Sequence, residues 1–364
     1  VEIAGCSCNE MELLTLRIMK PDGRKRRLNA LLSFVFAAML GPGASQAQIF
    51  SSDSVLRFEL RLDLDSLKAD VGEDPSYHDG ILVYEDPADR SRHELRISVR
   101  ARGNFRKKPE NCDFPPLKLK FDKTQRQGSI FEDLRELKLV THCQSDLDEF
   151  EQYLLQEYLI YKSYNLFTDF SFRVRLARIT YVDMEHKSAP FTRFAFLLED
   201  EEDMARRNQS GLLELKTISN DKLDRDYFAL MSMFNFMMLN TDYSIPIVHN
   251  VVLVYTDNFK PPIPVPFDFD WSGMINIPYE SPYASRETRY AGRKYKGPCL
   301  RGKELKKVFN TMLSRRNELY QLYREFPYLN EDLRSRSLQE LDMFYIIIGN
   351  RKLVRQEFIR KCRD

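Results

Sequence analysis

Short alternating segments separated by Asp, Pro and Gly turns dominate the chain from Val55 to Asp122, and they constrain its fold more than any other feature. Val55 to Leu64, Gly80 to Tyr84, Glu94 to Arg102 and Leu117 to Phe121 read as strands, each able to bury one face. Asp148 to Phe167 then carries Tyr153, Leu154, Tyr158, Ile160, Tyr161 and Tyr164 at helical intervals, with Asp146 or Asp148 as its N-cap. Arg173 to Asp183 and Phe191 to Leu198 resume the alternation. The pattern predicts a β-rich first lobe over residues 48–199, a sheet packed against one main helix in an α+β arrangement.

After Glu199 the composition changes. The acidic run Glu199 to Asp203 starts a helix, where negative charge complements the dipole. Lys222 to Asn240 is apolar on nearly all sides, which predicts a buried helix whose Met and Phe side chains are core. Lys303 to Arg324, Asn330 to Ile348 and Arg351 to Lys361 read as closing helices, so residues 200–364 form a mainly helical second lobe. With 364 residues and 43% hydrophobic side chains, the chain can build two lobes sharing a cleft. The net charge of +1, from 55 basic and 54 acidic side chains, supplies no global field to select nucleic acid or an anionic membrane.

The first 47 residues read as processing sequence. Lys20 and Arg24 to Arg27 form a basic region, Leu28 to Leu40 an apolar one, and Ser45-Gln46-Ala47 a site for cleavage after Ala47. The apolar run of about 13 residues is shorter than the ~20 needed to span a bilayer, so no transmembrane anchor is expected after cleavage. Met19 precedes the basic region, and residues 1–18 read as an over-extended start. The mature chain is therefore expected in the periplasm or outside the cell. Cys112, Cys143, Cys299 and Cys362 would there form one or two disulfides, or remain buried thiols. Zinc is disfavoured, because no Cys-x-x-Cys pair exists among them and the five His are scattered.

The chemistry concentrates between Asn240 and Asp270. Asp242, Asn250, Asp268 and Asp270 lie at the two ends of a strand-loop-strand unit, an oxygen-rich set suited to a hard cation such as Mg2+. Phosphoryl transfer uses the same parts: a carboxylate that orients or deprotonates the acceptor hydroxyl, and an Asn and an Asp on metal. Asp242 takes the first role, Asn250 and Asp268 the second, with Asp270 as a further ligand or orienting partner. The alternative for Asp268-Phe269-Asp270 is a strand end whose carboxylates accept turn N–H bonds.

Five local features carry a family resemblance. They are Arg102-Gly103-Asn104 followed by Lys107-Lys108 and Pro116 to Phe121; the helix end Tyr164 to Phe167; the strand Arg178 to Asp183; Phe196 to Glu199; and the Asp242, Asn250, Asp268, Asp270 set. Together they resemble the CotH-like kinase family, named for a spore-coat protein. The resemblance implies a two-lobed atypical protein-kinase-like fold that uses ATP and Mg2+ to phosphorylate a protein or small-molecule hydroxyl. It assigns Lys120 to the nucleotide phosphates as a catalytic residue alongside Asp242. Lys118 stands beside Lys120 and Arg102 adds fixed positive charge, with Glu157 as a partner carboxylate and Glu199 near the adenine. Lys118 and Lys120 could equally line the solvent face of an edge strand. The mature chain has no Gly-x-Gly-x-x-Gly loop, and Tyr243 to His249 is more apolar than the family's loops there. A catalytically silent envelope scaffold binding a partner through Tyr279 to Lys296 is the alternative, and a metal-dependent hydrolase a third reading. Gly273 is expected to permit a sharp turn after the metal Asp.

Overall fold

In the computed structural model, which describes residues 49–257, 259–275, 277 and 292–360, seven strands close into a barrel. They are β1 (Leu56–Leu62), β2 (His78–Glu85), β3 (Arg92–Ala101), β4 (Leu117–Phe121), β5 (Glu136–Val140), β6 (Val174–Asp183) and β7 (Phe191–Leu198). Their order is β1-β2-β3-β4-β5-β7-β6, and β6 returns to pair in parallel with β1, Leu56 opposite Ala177. Every other pairing in the barrel is antiparallel. Alternation sends Leu60, Leu82, Val99, Leu119, Leu139, Ile179 and Leu197 inward, all fully buried, so the lumen is packed core.

Between β1 and β2 lies α1 (Leu64–Ala69), and between β5 and β6 lies α2 (Asp148–Asn165). Leu147 caps α2 without a side-chain bond, and Asp148, Glu149 and Glu151 in the first turn complement the dipole instead. Beyond the barrel come α3 (Glu201–Arg207), β8 (Gly211–Leu212), α4 (Arg225–Met237), β9 (Val251–Tyr255) and β10 (Ile263–Pro266). The chain ends in α5 (Lys303–Ser314), α6 (Arg316–Glu325), α7 (Glu331–Gly349) and α8 (Arg351–Val354), the last running into a π-helical turn. The Asp224 carboxylate caps α4 by accepting from the N–H groups of Asp226 and Tyr227, and Phe228 to Met237 are buried without exception. Strands β8, β9 and β10 form a separate sheet with β10 at its edge, where Pro264 and Pro266 are tolerated.

The expected two-lobed kinase-like fold, with a sheet and one main helix in its first lobe, does not form. Three pairings overturn it: β1 with β6, and β5 with both β4 and β7. Local alternation reveals a strand's faces but not its neighbours across the sheet, and β5, only five residues long, escapes that reading altogether. The helix α2 belongs to no single lobe. It packs on β6 and β7 on one side and α6 on another, and Leu154, Leu155, Leu159 and Ile160 are buried around it. The described residues all fall within one compact unit, Ala44–Asp364.

A disulfide between Cys112 and Cys143 joins the β3–β4 connection to the segment after β5, and Cys299 is also disulfide-bonded. Among the described residues no helix is long and apolar enough to cross a membrane. The leader and Cys362 lie outside the described residues, as does most of Tyr279 to Lys296.

Candidate functional site

A cleft of about 450 Å3 opens between the barrel wall and the loops around β9 and β10. Arg102, Asn104 and Arg106 of the β3–β4 connection line it, with Lys138 of β5, Glu157 and Tyr161 of α2, and Asp242, Asn250, Asp268 and Asp270. Its size lies within the ~300–1,000 Å3 usual for small-ligand sites. A larger groove of about 950 Å3 adjoins it, sharing Glu201 and Val248 in the wall.

Asp242 is held by the turn that ends α4. Leu239 turns the chain through a left-handed conformation (φ 55°). Asn240 is buried, donates from Nδ2 to Asn235 Oδ1 at 2.9 Å, and accepts the Asp242 N–H on its own Oδ1 at 3.0 Å. Asn250, also left-handed (φ 53°), donates from Nδ2 to the Asp242 carbonyl at 2.8 Å and to Asp242 Oδ2 at 2.9 Å. That spends the amide's donors on Asp242 and leaves its oxygen as an acceptor. His249 Nε2 stands 3.3 Å from Asp242 Oδ1, so both carboxylate oxygens are contacted.

Beyond β10, Phe269 is fully buried and packs edge-on against Tyr161 at 4.9 Å, which anchors the carboxylates on either side of it. The Asp268 N–H donates to the Tyr161 hydroxyl at 2.8 Å and fixes Asp268 in a left-handed conformation (φ 59°). Val248 (φ 48°) is a β-branched residue in the same rare region. Four of the eight described non-glycine residues with positive φ thus lie between 239 and 268, and strain of ~1–3 kcal/mol each persists where the surroundings enforce it, commonly at working sites.

Asp270 is only 5% exposed, and its Oδ1 is buried without a hydrogen-bond partner. Burial, and next the neighbouring Asp268, hold its carboxyl well above the usual range. Arg102 is felt by Asp268 across the cleft, and its own Nε is sealed from solvent with no partner. Arg106 donates to Glu157 at 3.3 Å and to the Thr141 carbonyl at 3.0 Å. Even so, burial raises Glu157 to about 7.

Of the expected site residues, Arg102, Glu157, Asp242, Asn250, Asp268 and Asp270 line this one cleft, and Lys118, Lys120 and Glu199 do not. Lys120 projects outward on a different face, its Nζ 5.3 Å from the Tyr77 ring. Lys118 pairs with Glu136 at 2.5 Å and lines the adjoining groove. Glu157 meets Arg106 rather than a strand lysine. Glu199 is buried, accepts the Arg173 N–H at 2.9 Å, and takes both arms of the Arg207 guanidinium at 3.0 and 2.9 Å. That bidentate pair ties the end of β7 to α3. Lys107 donates to the carbonyls of Gly72 and Glu73 and so braces the loop after α1.

Sequence reasoning missed Lys138, the strand lysine that does reach the cleft. It sits outward between Leu137 and Leu139, in the same alternation that marks Lys118 and Lys120, and it pairs with Glu201 and, at 3.4 Å, with Asp200. Gly273 lies in a turn closed by the Ile275 N–H to the Ser272 carbonyl, and it also permits a close approach: its N–H donates to the Leu239 carbonyl, and an added Cβ would come 2.9 Å from Leu239 Cβ.

These donors suit a hard cation. Asp268 and Asp270 offer carboxylate oxygens, Asn250 an amide oxygen, and an ion there would satisfy the orphaned Asp270 Oδ1. The described residues include one trio of acidic and His ligands with mutually close atoms, Asp86, Asp89 and His93, on the β2–β3 hairpin away from this cleft. Compared with known families the chain matches no family model, and it matches none of the curated proteins.

Proposed function

We propose that this cleft moves the γ-phosphoryl group of ATP to a protein or small-molecule hydroxyl with the help of Mg2+, the chemistry of CotH-like phosphotransferases. The carboxylate and amide set belongs to the site, while ATP as the donor comes from the sequence resemblance. One observation carries it: Asp242, Asn250, Asp268 and Asp270 line a single cleft in which Asp270 keeps an unpartnered buried oxygen.

Asn250, Asp268 and Asp270 would hold Mg2+, which when bound neutralises phosphate charge. Asp242, its carboxylate half-exposed and steadied by Asn250 and His249, accepts the proton of the incoming hydroxyl and aims the oxygen. Lys138 supplies the ammonium for phosphate oxygens, moving from Glu201 and Asp200 to the nucleotide. Arg102 offsets the charge of Asp268 from the loop side. The adjoining groove gives the base and ribose room beside the phosphates. Export belongs to the same reading and is supported by the Cys112–Cys143 disulfide.

Calorimetric titration with ATP and Mg2+, and transfer of labelled phosphate, test the proposal. Asp268→Ala is expected to lose nucleotide binding while melting near the wild-type temperature. A well-folded protein that binds no Mg-ATP and incorporates no phosphate refutes it. A catalytically silent binding protein is the second reading, supported by the engagement of Lys138 with Glu201 and Asp200. Phosphate incorporation by the wild type would exclude it.

A further inference from the structure

Helix α4 ends just before Asp242 and has no basic residue in its last turn. Its terminal carbonyls are met from elsewhere in the chain. Arg293 donates from Nη1 to the carbonyls of Phe236 and Met237 at 3.0 and 2.5 Å, and from Nη2 to the Glu340 carboxylate on α7 at 2.7 Å. A cation is favoured there, because the helix C-terminus carries partial negative charge and unpaired acceptors. Three residues on, the Lys296 Nζ donates to the Thr241 carbonyl at 3.1 Å and to the Tyr243 carbonyl, the two residues that flank Asp242. The same ammonium lies 4.6 Å from the Tyr243 ring centroid, a cation–π contact.

We propose that Lys296 is a positioning residue for Asp242: it clamps the peptide on both sides of the carboxylate, with Arg293 anchoring the strap to α4 and α7. A solvated lysine has many rotamers and little reason to surrender them. This one gives two donors to backbone oxygens and covers an aromatic face. The backbone of Asp242 itself is tied through its N–H to Asn240 and through its carbonyl to Asn250 Nδ2. Further along, the Ser244–His249 bridge pins the loop to itself, and Lys296 acts on the two peptides that immediately flank Asp242. That Asp242 is the carboxylate worth fixing rests on the phosphotransfer reading above. The clamp itself does not.

The full chain carrying Lys296→Met or Lys296→Arg tests this by hydrogen exchange over residues 239–250 and by hydrolysis of ATP with Mg2+. The methionine variant is expected to exchange faster in that segment while the barrel strands keep their protection. Its kcat falls roughly hundredfold, as slight misplacement of a reacting group can cause, with KM for ATP little changed. Arginine, which keeps the charge and the donors, recovers part of both. Unchanged exchange over 239–250 in the methionine variant overturns the proposal. A rise spread through the whole chain overturns it too, since Lys296 would then hold the core and not this turn. If the wild type binds no Mg-ATP and incorporates no phosphate and yet the segment loosens in the variant, the clamp stands and the phosphotransfer reading falls.

Discussion

Replacing Glu157 by Gln should flatten the dependence of stability on pH, because Glu157 is a buried acid held between two arginines and a further carboxylate. It is 3% exposed, and Arg106 stands 3.3 Å away. Burial favours the neutral form, Asp268 adds to that, and Arg106 and Arg102 oppose it, leaving the group at about 7 against 4.5 for a free glutamate. An acid raised on folding binds more protons in the native state than in the unfolded one. Its contribution is therefore most favourable below the unfolded value and is lost as pH climbs from about 4.5 through about 7. At ~1.4 kcal/mol per pH unit the loss is ~3 kcal/mol. Urea unfolding of both proteins at pH 5 and pH 8 measures it. Glutamine carries no titration, so the variant should gain on the wild type by ~3 kcal/mol between those values. Parallel pH profiles for the two proteins would mean that Arg106 already keeps Glu157 ionised across the range, and would sink the argument.

Other outcomes follow from the same geometry. Removing the Cys112–Cys143 bridge by Ser substitution opens a loop of 31 residues and should cost ~3–4 kcal/mol in urea unfolding; a cost under ~1 kcal/mol would show that the loop is held by packing instead. Lys138→Met should weaken ATP binding at least tenfold in calorimetry while Lys120→Met leaves it unchanged, and the reverse pattern would hand the phosphate role to Lys120. Because burial raises the Asp270 carboxyl, a cation must displace its proton at low pH, so Mg2+ affinity should fall as pH falls, with proton release seen in buffers of differing ionisation heat. A flat pH profile would place the ion elsewhere.

Alternation in the sequence foretells every barrel strand except β5, and the omission hides more than a strand. Glu136-Leu137-Lys138-Leu139-Val140 has only a pair of alternating leucines to announce it, yet it joins β4 to β7 and carries the cleft lysine. Lys118, Lys120 and Lys138 look alike along the chain. Which of them meets the cleft depends on where β4 and β5 fall around the barrel, and that is a long-range property. The Asp242 to Asp270 set was legible because its members sit within one short stretch whose strands and loops bring them back together. Glu199 was misleading for the opposite reason: a carboxylate closing a strand looks available until Arg207, one helix further on, takes both its oxygens.

The parallel seam between β1 and β6 bears on how the chain must assemble. Strands β1 to β5 can form in order as they appear, but until α2, β6 and β7 arrive the growing sheet presents raw hydrogen-bonding margins at β1 and β5. A polypeptide threaded N-terminus first through a membrane pore would hold that vulnerable form through the whole passage of α2. Folding of this chain should thus hinge on its middle third, and a truncation after β5 should yield aggregates instead of a smaller domain.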